Sequence, residues 1–247
     1  MRALRAVLRL AGAFVHALRG LLTILLVFPR LDAAQRESRV QAWAARMLEI
    51  LGISVEVRGT RPLHGPLLLV ANHISWLDIL VLHAARHCRF VSKADVRRWP
   101  LLGTLATGAG TLYIERESRR DAMRVVHHMA EALRTGDVLA VFPEGTTTDG
   151  SQLLPFHGNL LQAAIAADAP VLPVALVYLD ARTGQRSRSV AYVGDDTLLA
   201  SLWRTLAGPR VLARVQYGAA QGAAGRDRRT WAADLHAAVE RLRRAAG

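Results

Sequence analysis

Two short apolar runs, each followed directly by polar residues, constrain the fold of this chain more than any other feature. Residues 67–70 (Leu-Leu-Leu-Val) lead into an Asn-His pair at 72–73, and residues 138–141 (Val-Leu-Ala-Val) lead into a Pro-Glu-Gly turn at 143–145. Apolar runs of four to eight residues fit buried strands. Polar clusters at the ends of buried strands are where an α/β protein builds a site. We therefore expect a functional site where these two strands end.

Strands and helices alternate from residue 53 onward, which predicts an α/β fold with a mixed sheet flanked by helices. This domain is expected to occupy residues 51–247. Glycines at 103, 108 and 110 indicate a loop before the fourth strand. The predicted strands are residues 54–57, 66–71, 89–92, 111–114, 138–142, 171–178, 190–193 and 211–217, and the predicted helices are residues 76–85, 119–134, 159–167, 197–206 and 229–244.

Residues 1–50 are predicted to form a membrane-associating segment of one helix or a helix pair. Three arginines among the first nine residues recur at helical spacing and are expected to bind anionic lipid. The apolar stretch that follows is interrupted by His16 and Arg19, and a central arginine costs a bilayer span about 2.5–3.5 kcal/mol. A helix in the membrane interface is therefore favoured over a span, and a cleaved signal peptide fits these interruptions poorly. Residues 35–51 keep the spacing of a second amphipathic helix.

The charge of the chain indicates an anionic partner. The formal net charge is +12 over 247 residues, and Lys93 is the only lysine, so arginine carries almost all of the positive charge. Arginine binds phosphate oxygens in pairs. No aromatic RNA-binding block or helix-turn-helix pattern accompanies the charge, so no nucleic-acid partner is predicted. Cys88 is the only cysteine, which excludes an internal disulfide and a multi-cysteine zinc site and fits a cytosol-facing protein.

His73 and Asp78 are the candidate catalytic residues. Histidine titrates near neutral pH and is the usual general base. A nearby carboxylate fixes its tautomer and stabilises the imidazolium that forms. The alternative is a histidine at a strand end and an aspartate that caps a helix, and the spacing alone does not decide between them.

Two further clusters suit the binding of oxygen-rich groups. Gly145 permits a turn whose exposed N–H groups hold an anion, and Glu144 could accept a hydrogen bond from a hydroxyl. Arg116 follows the strand at 111–114 and would present a fixed guanidinium to phosphate. An ordinary turn and a solvated surface charge are the competing interpretations of these clusters.

Four sequence blocks, taken in order, resemble the glycerolipid acyltransferase family, the 1-acylglycerol-3-phosphate acyltransferases of bacterial membranes and their relatives. That family is marked by N-H-x-x-x-x-D, G-x-x-F/Y-I-x-R, F-P-E-G-T and V-x-P-V blocks. The matching segments are residues 72–78, 110–116, 142–146 and 171–174, and the resemblance covers roughly residues 67 to 178.

The resemblance implies a mechanism. His73, held by Asp78, would deprotonate the free hydroxyl of a lysolipid, and the oxygen would attack an acyl thioester of coenzyme A or acyl carrier protein. No covalent acyl-enzyme, cofactor or metal is required. This fits the absence of a plausible nucleophile, since Cys88 has no motif around it and Ser75 lies inside the histidine block.

The resemblance also assigns binding roles. Arg116 would bind the acceptor phosphate, and Glu144, Gly145 and Thr146 would position acceptor hydroxyls or phosphate. Lys93 would help backbone N–H groups to stabilise the thioester oxyanion. The predicted substrate-binding residues are Asn72, Ser75, Lys93, Gly110, Arg116, Glu144, Gly145 and Thr146.

The predicted function is that of a membrane-bound O-acyltransferase at the inner (cytoplasmic) membrane, with the catalytic domain on the cytoplasmic face. The favoured acceptor is 1-acylglycerol-3-phosphate, giving phosphatidic acid. His157 stands where the family often has lysine, and Thr147 and Thr148 stand where arginine is common among phosphatidic-acid makers. These departures make a lyso-aminolipid, such as a lyso-ornithine lipid, the second candidate acceptor. A thioesterase-like hydrolase and a non-catalytic basic lipid-binding protein are two further hypotheses for the function of this chain.

Overall fold

The structure is a computed structural model that describes residues 2–114 and 119–247, leaving out the side chains at positions 2, 93, 114 and 119–122. The helices within these residues are α1 (Arg2–Leu26), α2 (Ala33–Leu51), α3 (Leu77–Ala85), α4 (Leu102–Gly108), α5 (Arg119–Arg134), α6 (Leu161–Ala167), α7 (Leu198–Ala207) and α8 (Arg228–Ala246). The strands are β1 (Ile53–Arg58), β2 (Leu67–Ala71), β3 (Arg89–Lys93), β4 (Leu112–Ile114), β5 (Val138–Val141), β6 (Val171–Asp180) and β7 (Val211–Tyr217).

The strands form one mixed sheet in the order β1-β7-β6-β2-β5-β3-β4. Neighbouring strands run parallel except β6 and β7, which pair antiparallel. The predicted mixed sheet is therefore confirmed. Strand β2 lies between β5 and β6, so both of its edges are paired.

The side chains of β2 show why the sheet is buried on both faces. All five residues are apolar and buried, as expected for a central parallel strand covered by helices on both sides. Alternate residues point to opposite faces. Leu67, Leu69 and Ala71 belong to one core cluster, and Leu68 and Val70 belong to another. The sheet therefore separates two hydrophobic cores.

The helices that follow β2 and β5 lie on opposite faces of the sheet. Helix α3 contributes Leu77 and Val81 to the first core, whereas α6 contributes Leu161 and Ala164 to the second. After β2 the chain passes over one face of the sheet, and after β5 it passes over the other face. In open α/β sheets a divergence of this kind forms a crevice at the carboxyl ends of the strands, where ligands bind.

Helix α1 packs against α2, α4 and α7. Residues 3–26 are long and apolar enough to cross a membrane, by length and composition alone. Arg5 and Arg9 donate from their guanidinium groups to the carbonyls of Gly208 and Leu206, at 3.4 and 3.1 Å. These carbonyls lie at the C-terminal end of α7, where a cation is favoured by the helix dipole. Two of the three arginines expected to bind lipid are therefore engaged with α7.

Two predicted elements are wrong. Residues 190–193 form no strand, because their backbone groups bond elsewhere: the N–H of Tyr192 donates to the Ile74 carbonyl, and Arg204 donates to the Ala191 carbonyl. The predicted loop at 103–110 contains helix α4. Gly103 and Gly108 lie in that helix because they allow close packing, where a Cβ would collide with the Arg97 carbonyl and with Ile24.

Candidate active site

The predicted histidine–aspartate pair lies at the crevice. His73 follows β2, and Asp78 lies in the first turn of α3. The Nδ1 atom of His73 is 2.7 Å from Oδ2 of Asp78. The His73 side chain is 20% exposed, whereas the Asp78 side chain is fully buried. A substrate can therefore reach the imidazole while the carboxylate stays out of water.

Asp78 accepts four hydrogen bonds, more than helix capping needs. Its Oδ2 atom also accepts the backbone N–H groups of Ile74 and Ser75, at 2.6 and 2.9 Å. Its Oδ1 atom accepts the hydroxyl of Tyr178 from β6, at 2.6 Å. The four donors leave neither oxygen of this buried carboxylate without a hydrogen bond. Burial, and then the Asp78 charge, raises the pKa of Tyr178 well above its usual value, so this hydroxyl stays protonated as a donor.

The His73 ring is fixed by stacking as well as by hydrogen bonding. Phe142, the residue after β5, stacks on it with ring centroids 4.0 Å apart and planes 6° from parallel. Phe90 of β3 stacks in turn on Phe142 at 5.8 Å. The bond from Nδ1 to Asp78 and this stack set both the plane and the direction of the imidazole. Its Nε2 atom remains the one available for chemistry.

Glu144 connects the second predicted cluster to the first. Its Oε1 atom accepts the backbone N–H of His73 at 2.7 Å, and its Oε2 atom accepts the N–H of Leu154 at 2.9 Å. Burial raises the pKa of the Glu144 carboxyl, and the two N–H donors act in the opposite direction. The carboxylate thus holds the His73 backbone in place, and a contact of Glu144 with substrate stays a prediction.

The turn after Glu144 is open to solvent. Gly145 has φ +73°, a left-handed conformation that glycine adopts without strain. A Cβ at this position would lie 3.5 Å from Cδ2 of His157, so the His157 ring flanks the turn. Thr146 is exposed, and its hydroxyl makes no hydrogen bond within the described part of the chain. Gly145 and Thr146 are therefore placed where a substrate could meet them.

Asn72 and Ser75 are buried and have structural partners. The Asn72 amide donates to the Leu176 carbonyl at 3.0 Å and accepts the Leu176 N–H at 2.7 Å, which ties the end of β2 to β6. The Ser75 hydroxyl accepts the Leu77 N–H at 3.3 Å, at the start of α3. Both residues shape the loop that carries His73, and their substrate contacts stay predictions.

The remaining predicted residues are not brought together with His73 by described contacts. Gly110 precedes β4 and so lies at the amino end of an edge strand, whereas His73 follows the carboxyl end of β2. The Gly110 carbonyl accepts a hydrogen bond from the Nε–H of Arg89 at 2.8 Å. Lys93 is the last residue of β3 and so lies, like His73, at the carboxyl ends of the parallel strands. Its side chain is outside the described atoms. Arg116 lies outside the described residues. Its phosphate contact stays a prediction.

The sequence assigned no structural contact to three residues that contribute to the site. Tyr178 supplies the fourth donor to Asp78. Trp76 donates from its indole nitrogen to the Ser201 hydroxyl at 3.2 Å, which links the histidine block to α7. The Thr147 hydroxyl donates to the Tyr192 carbonyl, so this threonine fastens a loop beside the site. Tyr178 is the last residue of a predicted strand and Trp76 lies inside the histidine block, but no sequence pattern indicated their partners Asp78 and Ser201.

Cys88 does not compete with His73 as a reactive group. Cys88 is fully buried, and burial raises the pKa of its thiol, so it is no nucleophile. Among residues 2–114 and 119–247, no group of three or more His, Cys, Asp or Glu side chains is arranged to hold a metal ion. A reachable imidazole backed by a buried carboxylate is the arrangement of an enzyme that uses histidine as a general base, either a transferase or a hydrolase.

Comparison with known proteins identifies which of these classes applies. The sequence profile of the family described as Acyltransferase matches residues 54–177. The chain is 44% identical over 181 residues to the lyso-ornithine lipid O-acyltransferase of Pseudomonas aeruginosa, covering 73% of this chain and 69% of that protein. It is 40% identical over 172 residues to the 1-acyl-sn-glycerol-3-phosphate acyltransferase of Neisseria meningitidis, covering 69% and 67%. The chain belongs to the acyltransferase family and is a lysolipid acyltransferase.

The fold agrees with this assignment. The crystal structure of the 1-acyl-sn-glycerophosphate acyltransferase PlsC from Thermotoga maritima superposes with a TM-score of 0.73, at 19% identity, over 99% of this chain and 97% of that one. At this identity the likeness shows a shared fold.

Proposed function

We propose that this enzyme transfers a fatty acyl group from an acyl thioester to the free hydroxyl of a lysolipid, with His73 as the general base. The observation that carries the proposal is the 2.7 Å contact between His73 and the buried carboxylate of Asp78, at the crevice beside the exposed turn of Gly145. The thioester is that of coenzyme A or acyl carrier protein. The chemistry needs no cofactor or metal.

The contacts of His73 suggest how the proton moves. A carboxylate at Nδ1 keeps a proton on that nitrogen, which leaves Nε2 unprotonated and able to accept the hydroxyl proton. The acceptor oxygen attacks the thioester carbonyl carbon, forming the C–O bond of a tetrahedral intermediate. The C–S bond then breaks, and the thiolate takes the proton back from Nε2. Asp78 stabilises the imidazolium between these steps.

The proposed acceptor is 1-acylglycerol-3-phosphate, whose product is phosphatidic acid. A strongly basic chain favours a phosphorylated acceptor. A lyso-ornithine lipid is the second candidate, favoured by the 44% identity to an enzyme named for that acceptor. It is also favoured by Thr147, which stands where an arginine is common in phosphatidic-acid makers and whose hydroxyl is bonded to Tyr192.

The proposed location is the cytoplasmic face of the inner membrane, with α1 lying in the plane of the interface. Contacts of Arg5, Arg9 and His16 with α7 and α2 occupy one side of α1, which suits a helix lying flat on the protein. An exposed apolar face on such a helix suits burial among lipid headgroups and acyl chains. The exposed large apolar residues of α1 are Leu4, Val7, Leu8, Leu10, Phe14, Val15, Leu18, Leu22, Leu25 and Leu26.

The proposal is tested by an acceptor screen with labelled acyl-coenzyme A and purified enzyme in mixed micelles. Wild type is compared with His73→Ala and with a matched control, His64→Ala, which alters an exposed histidine that has no contact at the site. We expect acylation of lysophosphatidic acid by wild type and the control, and loss of turnover in His73→Ala with membrane binding unchanged.

Other results would change the assignment in defined ways. Acylation of lyso-ornithine lipid alone would keep the chemistry and replace the acceptor. Thioester hydrolysis without any lysolipid would identify a thioesterase. Equal turnover by His73→Ala and wild type would refute the general-base role.

A further inference from the structure

A polar pocket lies beside the turn of Gly145. It has a volume of about 250 Å³ and is lined by residues 156–159 and by Arg228 and Arg229 at the start of α8. The two sides of the pocket are in direct backbone contact, because a Cβ on Gly158 would collide with the Arg228 carbonyl. The backbone at the start of α8 is thereby held against this loop, and both arginines are exposed at the pocket.

The same loop contacts the turn that holds His73 in place. The N–H of His157 donates to the Pro143 carbonyl at 2.9 Å, and its ring flanks Gly145. Between these two turn residues, Glu144 holds the backbone of His73. A group bound in the pocket would therefore lie close to the turn that borders the reaction site.

The arginines of the pocket differ from three arginines on or beside α8 by having no acidic partner among the described residues. Arg226 pairs with Asp234 at 2.8 Å, and Arg243 and Arg244 pair with Glu240 at 2.8 and 3.0 Å. Within the described part of the chain, neither Arg228 nor Arg229 forms an ion pair.

The nearest acidic side chain in the sequence is already in use. Asp227 caps α8 by accepting the backbone N–H groups of Arg229 and Thr230 and the Thr230 hydroxyl. Its charge partly offsets the two guanidinium groups, which leaves the pocket with an excess of positive charge. The start of a helix adds a further positive potential.

We propose that this pocket binds a phosphate monoester of one of the two substrates, with Arg228 and Arg229 as its ligands. Guanidinium groups bind phosphate oxygens in pairs, and two of them on one pocket wall suit a dianionic monoester. The acceptor lysophosphatidic acid and the 3′-phosphate of coenzyme A both carry this group. The inference rests on the proposed function, because it takes its ligand from the substrates of that reaction.

The test measures KM and kcat for Arg228→Gln/Arg229→Gln in full-length enzyme. The control is Arg241→Gln, which removes an exposed arginine of the same helix about 18 Å farther along it. Two comparisons separate the sources: lysophosphatidic acid against lyso-ornithine lipid as acceptor, and acyl-coenzyme A against acyl-dephospho-coenzyme A as donor.

We expect the double variant to raise one KM by about 10- to 100-fold, as for lost charge-assisted contacts, with kcat nearly unchanged. An increase confined to lysophosphatidic acid places the acceptor in the pocket. An increase confined to acyl-coenzyme A, absent with the dephospho donor, places the 3′-phosphate there. Unchanged KM values in every combination, or equal changes in Arg241→Gln, would overturn the inference.

A failure of the proposed function is recognised separately. If wild type transfers no acyl group, binding of glycerol 3-phosphate and adenosine 3′,5′-bisphosphate is measured by calorimetry instead. Binding to wild type that is at least tenfold weaker in the double variant supports the pocket. Equal binding, or none, refutes it.

Discussion

Replacing Asp78 with asparagine isolates the contribution of its charge. The substitution keeps the size of the buried side chain and can keep its hydrogen bonds. The amide oxygen can accept the three N–H groups that now bond to Oδ2, from His73, Ile74 and Ser75. The amide nitrogen then faces Tyr178, whose hydroxyl can rotate to accept. We therefore expect Asp78→Asn to fold.

The magnitude of the effect follows from the distance and burial of the pair. With Nδ1 and Oδ2 2.7 Å apart, the centres of the delocalised charges lie about 4 Å apart, and at an effective dielectric constant of about 20 they attract by about 4 kcal/mol. A neutral hydrogen bond to asparagine retains about 1 kcal/mol. The imidazolium formed during turnover thus loses about 3 kcal/mol of stabilisation, which lowers kcat about a hundredfold.

The assay is steady-state acyl transfer at saturating donor and acceptor, with thermal unfolding to confirm the fold. The matched control is Asp195→Asn, the same change at an exposed carboxylate. Asp78→Asn should unfold within a few degrees of wild type, and Asp195→Asn should keep wild-type kcat. A folded Asp78→Asn enzyme that retains a third or more of wild-type kcat would refute the charge-pair reasoning.

Three further substitutions test other contacts. Tyr178→Phe removes one donor to the Asp78 carboxylate and should lower kcat about tenfold with KM unchanged; wild-type kcat in this variant would remove Tyr178 from the site. Burial lowers the pKa of His83 in the folded state to about 3, so below pH 6.5 this histidine is protonated in the unfolded state and neutral in the folded one. The free energy of unfolding therefore falls by up to about 1.4 kcal/mol for each pH unit below 6.5. His83→Phe should flatten that slope in urea unfolding at pH 7.5 and 5.0, and an unchanged slope would contradict it. Arg9→Gln removes the cation bonded to the Leu206 carbonyl and should lower the free energy of unfolding by about 1 kcal/mol in the same assay, whereas no change would show that this contact is not stabilising.

The elements predicted best are those whose local pattern and tertiary role agree. Strand β2 is apolar throughout, so burial on both faces could be inferred from its composition. Helix α4 was missed because Gly103 and Gly108 indicate a loop locally, while their function is close contact with Arg97 and Ile24, which only the folded chain reveals. The apolar residues 190–193 predict a strand, but their backbone groups bond to Ile74, to Thr147 and to the Arg204 side chain of α7 and not to a neighbouring strand.

The candidate site shows the same division. The His73–Asp78 contact is local, five residues apart, and could be predicted from spacing and chemistry. Tyr178 reaches Asp78 across 100 residues of sequence, because β6 pairs with β2 in a register that places Ala71 opposite Val174. No sequence spacing encodes that register. The arginines of α1 were assigned to lipid from charge alone, and the end of α7 competes for them.

Helix α7 has a consequence for the use of this enzyme in the laboratory. It receives the α1 arginines at its C-terminal carbonyls, and through Ser201 it bonds to Trp76, directly before α3. A truncation that removes α1 to obtain a soluble protein would therefore strip a cap from the helix that supports the histidine block. Inactivity of such a truncation would report damage to the loop that carries His73 as much as loss of lipid contact. A chimera carrying a foreign membrane helix should retain arginines at the positions of Arg5 and Arg9.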